Sequence, residues 1–288
     1  MVQLADGDIK TREVLDWKGV HLFHFMGSSC SQKVRIFLNL KGIPWESHMV
    51  DIHGNENFRE RYLGINPRGL LPTLVLDGAV HIESNDIMTV LEEKFPEPRL
   101  IPAGRENKIA ELLEHEDNLH LDLRTLSFRF AFGRNDGPPK PAVALETYRN
   151  GGSGTVLGQA DANKDREIKF WERKAVEGFT DEACRASALK FQTAYDELDK
   201  ILADNDYLLG DALTVVDIAW YIYTSRLAMA GYPFERMHPR VAAWRGKLHR
   251  RPEFAEEIQG PPGSEHALAE LHKKHEQEGA TLARVAGI

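Results

Sequence analysis

The chain has 288 residues, 42% of them hydrophobic, which is long for one domain, comfortable for two and enough to bury a sizeable core. With 44 Asp and Glu against 36 Lys and Arg it is mildly acidic, which argues against a nucleic-acid binder. Its two cysteines, Cys30 and Cys184, make neither a disulfide framework nor a metal-ligand spacing, so a reducing, cytoplasmic setting without a metal is expected.

The first residues, 1–19, are polar and charged, unlike a signal peptide, and are read as an N-terminal extension. No apolar run approaches the roughly 20 residues of a membrane helix, so no membrane association is expected. "VHLFHFM" (20–26) reads as a buried strand. After the Gly27-Ser28-Ser29 break, Val34, Ile36, Phe37, Leu38 and Leu40 form a helical stripe that Gly42 closes. "WESHMVDI" (45–52) is a second strand, followed by a short polar helix or loop that stops at Pro67. Thr73–Leu76 and Ala79–Ile82 flank Asp77-Gly78 as a hairpin, and Ser84 can cap the helix that follows. This succession, β-α-β-(α)-β-β-α over 20–95, predicts a thioredoxin-like α/β domain with a mixed four-stranded sheet.

The proline-rich segment 96–106 reads as a linker. Helical patterns dominate 107–260, with helices expected over about 107–131 and 165–203, from Thr214, and around 239–250 and 252–258. The Gly/Pro-rich stretch 133–158 inside this all-helical domain is expected to be a mobile loop. Residues 261–288 form a C-terminal tail with one solvated helix expected.

The best candidate for chemistry is the strand-to-helix turn at Ser28, Ser29 and Cys30. A helix start gathers unpaired amides and the positive end of the dipole at one spot, which suits a thiolate. The plain alternative is that Ser28 and Ser29 only cap a helix. Cys30 is either an inert small residue or a reactive thiol. Lys33, Arg35, Lys41 and Arg68 are ambiguous, with surface placement the default.

Four stretches in this order and spacing, "SSCSQKVRIFLNLKG", "NPRGLLPTLVLDG", "IESNDIMTVLEEKFP" and "LLGDALTVVDIAWY", resemble the soluble glutathione transferases over residues 20 to 258. The first is similar to the active-site segment of the zeta class, the maleylacetoacetate isomerases. The resemblance implies glutathione as co-substrate, a homodimer, and Ser28 as the hydroxyl that stabilises the glutathione thiolate, with Ser29 and Cys30 extending the helix start. It further implies a cis bond at Leu71-Pro72 presenting backbone to the tripeptide, and Glu83 and Ser84 holding its γ-glutamyl end. Arg68 is a candidate for a glutathione carboxylate, and Thr214 with Asp217 for a structural capping box. A hydrophobic electrophile is expected to meet Met26, Arg124, Phe128 and Tyr221, although aromatics at such spacing suit a core equally well. The chain departs from the zeta class after the capping box, where the expected arginine is Met229, and in the 133–158 insertion and the tail. Maleylacetoacetate isomerisation is therefore not expected. Bacterial relatives with enlarged helical domains include glutathione-dependent β-etherases, so conjugation or β-aryl ether cleavage is the expected chemistry. Thiol transfer through Cys30 and a non-catalytic binding role stay open beside it.

Overall fold

The computed structural model describes residues 2–133 and 140–288. In chain order the strands and helices are β1 (Val2–Gln3), β2 (Val20–His24), α1 (Ser29–Lys41), β3 (Glu46–Met49), α2 (Glu60–Leu63), β4 (Thr73–Leu76), β5 (Ala79–Ile82), α3 (Ser84–Lys94), α4 (Glu106–Asn118), α5 (His120–Phe130), α6 (Ala142–Asn150), β6 (Thr155–Val156), β7 (Gln159–Ala160), α7 (Ala162–Glu177), α8 (Asp181–Ile201), α9 (Val215–Met229), α10 (Phe234–Met237), α11 (Pro239–His249), α12 (Pro252–Ile258), α13 (Ser264–Glu278) and α14 (Leu282–Ala286). They divide into two compact units, residues 1–98 with 138–176, and residues 99–137 with 177–288. Among the described residues no helix is long and apolar enough to cross a membrane.

The first unit is built on a mixed sheet in the order β1-β5-β4-β2-β3. Only β2 and β3 run parallel, and α1 makes their crossover. The β4–β5 hairpin turns at Asp77 and Gly78, both at positive φ, as a two-residue turn of this hand requires. To the four strands expected, the N-terminal extension adds β1, paired antiparallel with β5. Residues 2–19 are therefore part of the sheet and its core, with Leu4, Ile9 and Val14 buried.

α1 forms because its ends are both satisfied. Ser28 caps the first turn, and Gly42 takes the left-handed conformation that lets the Ile43 amide donate to the Leu38 carbonyl. Val34, Ile36, Phe37 and Leu38 are fully buried, each side chain contributing about 1.5–3 kcal/mol.

The insertion is where expectation and structure part. Residues 134–139 lie outside the described residues. From 140 onward the segment folds as α6 and the β6–β7 hairpin instead of a mobile loop, and 138–176 belongs to the first unit instead of the helical one. The physical reason is aromatic and polar anchoring. The ring of Tyr148 stacks on Phe58 at 4.2 Å and 7°, and Thr155 Oγ1 donates to Asp8. Lys140 Nζ donates to the Ile52 carbonyl.

The two long helices expected are each broken. Leu119 separates α4 from α5, and Gly178 at positive φ separates α7, which lies in the first unit, from α8. α9 is buried along nearly its whole length, as suits a helix apolar on every side. Asp217 fixes its start: its carboxylate accepts from the Thr214 and Leu208 amides at 2.9 Å, Thr214 Oγ1 at 3.0 Å and Trp244 Nε1 at 3.1 Å. In the tail, α13 has no buried residue, as expected of a solvated helix. The chain then turns back, and α14 packs Leu282, Val285 and Ala286 against α8.

Beneath the end of β2, the Arg35 guanidinium donates through Nη1 to His24 Nδ1 and the Phe25 carbonyl, both at 3.1 Å, and through Nη2 to the Met26 carbonyl at 3.0 Å. With Nδ1 accepting, His24 carries its proton on Nε2 and donates it to Ser47 Oγ at 2.7 Å on β3. Burial first, and then the positive field of Arg35 and His48, lowers the His24 pKa to about 4.

Two predictions follow from these contacts. Replacing Asp217 by Ala orphans buried donors and lowers the free energy of unfolding in urea by at least about 3 kcal/mol. As pH falls from about 6.5 to about 4, unfolded His24 takes up a proton that the native ring resists, so native stability falls across that window, by at most about 3 kcal/mol. Urea midpoints of His24→Gln fall less over the same window than those of the native protein.

Candidate active site

The sheet register brings three separated pieces of sequence to one edge. Phe23 on β2 lies opposite Thr73 on β4, and Thr73 lies opposite Ile82 on β5. The residues just past these positions, the 25–28 turn, Leu71-Pro72 and Glu83-Ser84, therefore leave the sheet at the same end. Each was singled out in the sequence for a different reason, and the register makes them neighbours.

Ser28 caps α1. Its Oγ accepts from the Ser31 amide at 3.3 Å, and its own amide donates to the Phe25 carbonyl at 3.1 Å. Accepting at Oγ leaves the hydroxyl proton to be donated outward. Ser28, Ser29 and Cys30 are half-buried, so the first turn of α1 is accessible to a small ligand. Neither cysteine is in a disulfide, and Cys184 is fully buried in the helical unit. Met26, beside this turn, is half exposed.

The Leu71-Pro72 bond is cis. The turn before it is held from below: Tyr62 Oη donates to the Leu70 carbonyl at 2.6 Å, and Asn66 Nδ2 donates to the same carbonyl at 3.0 Å and to Thr73 Oγ1 at 2.9 Å.

Glu83 joins β5 to α3 at a φ of +69°, a conformation that side-chain-bearing residues rarely adopt and that costs on the order of 1–3 kcal/mol. Its neighbour Ser84 is buried at the helix start. Arg68, expected as an anchor for a ligand carboxylate, is engaged within the protein. Its Nη1 donates to Glu83 at 2.5 Å, and its Nε and Nη2 grip Asp161 at 2.9 and 3.1 Å. Burial works against the guanidinium's charge, but Asp161 and Glu83 outweigh it and hold its pKa above the ordinary value. Arg68 thus orients Glu83.

The residues named for the electrophile lie in the second unit, Met26 excepted. Arg124 is half-buried, and Phe128 is half-buried with its ring edge-on to Phe179. Tyr221 is fully buried, packed edge-on against Phe254, with its hydroxyl at 3.1 Å from His249 Nδ1. Its place is the core of the helical unit, the alternative left open for aromatics at that spacing.

Three contributors escaped sequence reasoning. Arg35 and His24 sit under the turn, and nothing local distinguishes a buried arginine from a solvated one on a helix. Asp161 is 93 positions from Arg68. Its one local signal is its position just before α7, where its carboxylate accepts from the Asn163 amide.

Comparisons with known proteins bear on the family and the fold. Residues 22–99 match the family model of the glutathione S-transferase N-terminal domain, and residues 181–247 that of the glutathione S-transferase C-terminal domain. A maleylpyruvate isomerase from Ralstonia is 37% identical over 87 residues, 30% of this chain and 41% of that protein. A mouse maleylacetoacetate isomerase is 41% identical over 83 residues, 28% of this chain and 38% of that protein. The chain thus spans less than half the length of these curated relatives in the matched region. Among solved structures, the beta-etherase LigF of Sphingobium sp. strain SYK-6 superimposes with a TM-score of 0.66 at 25% identity, covering 83% of this chain and 98% of that one. The two family domains occur in order and together take in just over half of the chain, which therefore belongs to the glutathione S-transferase family.

Proposed function

We propose that the protein is a serine-type glutathione transferase that stabilises the glutathione thiolate at Ser28 and directs it at an apolar, aromatic electrophile. The observation that carries this is the placement of Ser28: a half-buried helix cap whose oxygen is fixed by the Ser31 amide and whose hydroxyl proton is unspent, at the sheet edge it shares with cis-Pro72 and Glu83-Ser84.

The residues suit each part of the tripeptide. A hydroxyl and a helix N-terminus favour the ionised sulfur. An ordinary thiol, with a pKa of about 8.5, is only a few per cent thiolate at neutral pH, and each unit removed is worth about 1.4 kcal/mol. The backbone at Leu71, ahead of the cis bond, offers an extended edge to the peptide. Ser84 at the start of α3 suits the γ-glutamyl carboxylate, and Glu83, oriented by Arg68, suits its amine. In the reaction the sulfur forms a bond to carbon while the leaving group, an aryloxide in ether cleavage, departs with the electron pair. The protein's part is thiolate stabilisation and positioning.

Similarity to a beta-etherase over most of the chain supports an aryl ether as the electrophile. The Met229 position and the long insertion favour it over the isomerase chemistry of the shorter relatives. A homodimer in the cytoplasm is the setting we propose for this activity.

The test is a titration of bound glutathione by thiolate ultraviolet absorbance. We expect a depressed thiol pKa in the native protein that rises by at least about one unit in Ser28→Ala, with kcat/KM toward aryl ethers falling roughly 10–100-fold. A depressed pKa that the substitution leaves unmoved transfers the role to Cys30 and the α1 amides, and absence of bound thiolate refutes the transferase.

A further inference from the structure

On the sheet, away from the glutathione edge, β2 and β3 set three metal-ligating side chains against one another. In their parallel register His21 lies opposite Glu46, and His48 follows two residues later on the same face. His21 Nδ1 lies 3.0 Å from His48 Nε2 and 3.5 Å from Glu46 Oε2, and the three ligand atoms all fall within 4.8 Å of one another. A tetrahedral ion with bonds of about 2.0–2.2 Å places its ligand atoms roughly 3.3–3.5 Å apart, so the cluster needs only small side-chain rotations to take one.

The tautomers are half prepared. The Lys18 carbonyl, 2.9 Å from His21 Nε2, can only accept, so that nitrogen carries the proton and Nδ1 presents its lone pair toward the cluster. A ligating histidine held by a backbone carbonyl through its other nitrogen is the arrangement metal sites use to fix ring orientation. His48, whose Nε2–H now donates to His21 Nδ1, needs only to move that proton to its own Nδ1. Trp17 packs over both rings at centroid distances of 4.7 Å, stacked on His48 at 22°. Arg61, the cation facing His48, is itself paired with Glu13 at 2.7 Å. His21 is buried, His48 half-buried and Glu46 exposed, and His48 also lines a cavity of about 500 Å³ with Phe23, Arg59 and Tyr62.

We infer that His21, Glu46 and His48 form a binding site for a divalent first-row transition metal, zinc above all, bridging β2 and β3 and leaving one coordination position open. Two imidazoles and a carboxylate suit zinc, cobalt, nickel or copper and do not suit magnesium or calcium, which take oxygen ligands. The site was not anticipated from the sequence because its ligands come from two strands and converge only through their register.

The experiment is a cobalt titration of the chelator-treated chain, followed by visible d–d absorption and by tryptophan quenching. One equivalent of cobalt gives the intense band of a four-coordinate ion, and stoichiometric zinc removes it. His48→Gln abolishes the band, and Glu46→Gln, at an exposed position that leaves the fold intact, weakens cobalt binding by at least about 10-fold. A His272→Gln/His275→Gln variant, which alters a closely spaced histidine pair on α13, leaves the band unchanged. Absence of the band in the native chain, its survival in His48→Gln, or its loss in the His272/His275 variant instead overturns the site.

Discussion

Arg35 is almost fully buried, and its guanidinium ties together the end of β2, the turn that follows and the helix that carries the arginine itself. Taking a cation out of water costs several kcal/mol unless its protons are spent, and here they go to a ring nitrogen and two backbone carbonyls. The planar fork matters, because its rigidly spaced donors reach His24 Nδ1 and the adjacent carbonyls of Phe25 and Met26 together. The turn is thereby held while its outer surface, Ser28 to Cys30, remains accessible. His24 extends the tie to Ser47 on β3, so the cation orders a strand, a turn, a helix and the neighbouring strand together.

That constraint bears directly on the chemistry proposed for the helix cap. Ser28 must satisfy a donor of its own helix and still present a proton outward, and a hydroxyl can do both because it accepts and donates through different sites on one oxygen. An alanine cap loses both functions, whereas a cysteine keeps only weak versions. The first turn of α1 is also the positive end of a 13-residue helix, so the field there favours an anion whichever side chain stands in it. Capping and the thiolate binding proposed for this turn therefore draw on the same local chemistry.

Much of this was legible in the sequence, and the reasons differ by element. The α1 boundaries, the Asp77-Gly78 hairpin and the Thr214 helix start follow from local chemistry: a cap, two positive-φ residues, a carboxylate three positions on. Ser28 and Ser84 at helix starts were legible from local chemistry too, whereas the cis bond at Pro72 was legible only through resemblance, since composition does not make a proline cis. The breaks at Leu119 and at Gly178 escaped because apolar periodicity runs on through a change of direction. Arg35, Arg68 and Asp161 escaped because a charged side chain reads as solvated until its partners are known, and those partners lie far away in the chain. The docking of α14 on α8 escaped because its apolar face is only a few residues long.

The insertion and the residues that follow it act on Arg68. Tyr148 on α6 donates to the Arg68 carbonyl, Asp161 ahead of α7 grips the Arg68 guanidinium, and Lys164 Nζ donates to the Gly151 carbonyl at 2.7 Å. Arg68 is thus held at its backbone by the insertion and at its side chain by the residue that leads into α7, and it passes that order to Glu83. Without Asp161, the arginine would balance a single carboxylate at its tip and be free to swing toward a ligand's own carboxylate, the role the sequence suggested for it. With Asp161 in place, the guanidinium's direction is set before any ligand arrives, and the Glu83 carboxylate at its positive-φ junction is held with it. A stretch that reads as a Gly/Pro-rich loop thus works as a buttress, with Tyr148 inside it and Asp161 just beyond it meeting the same arginine.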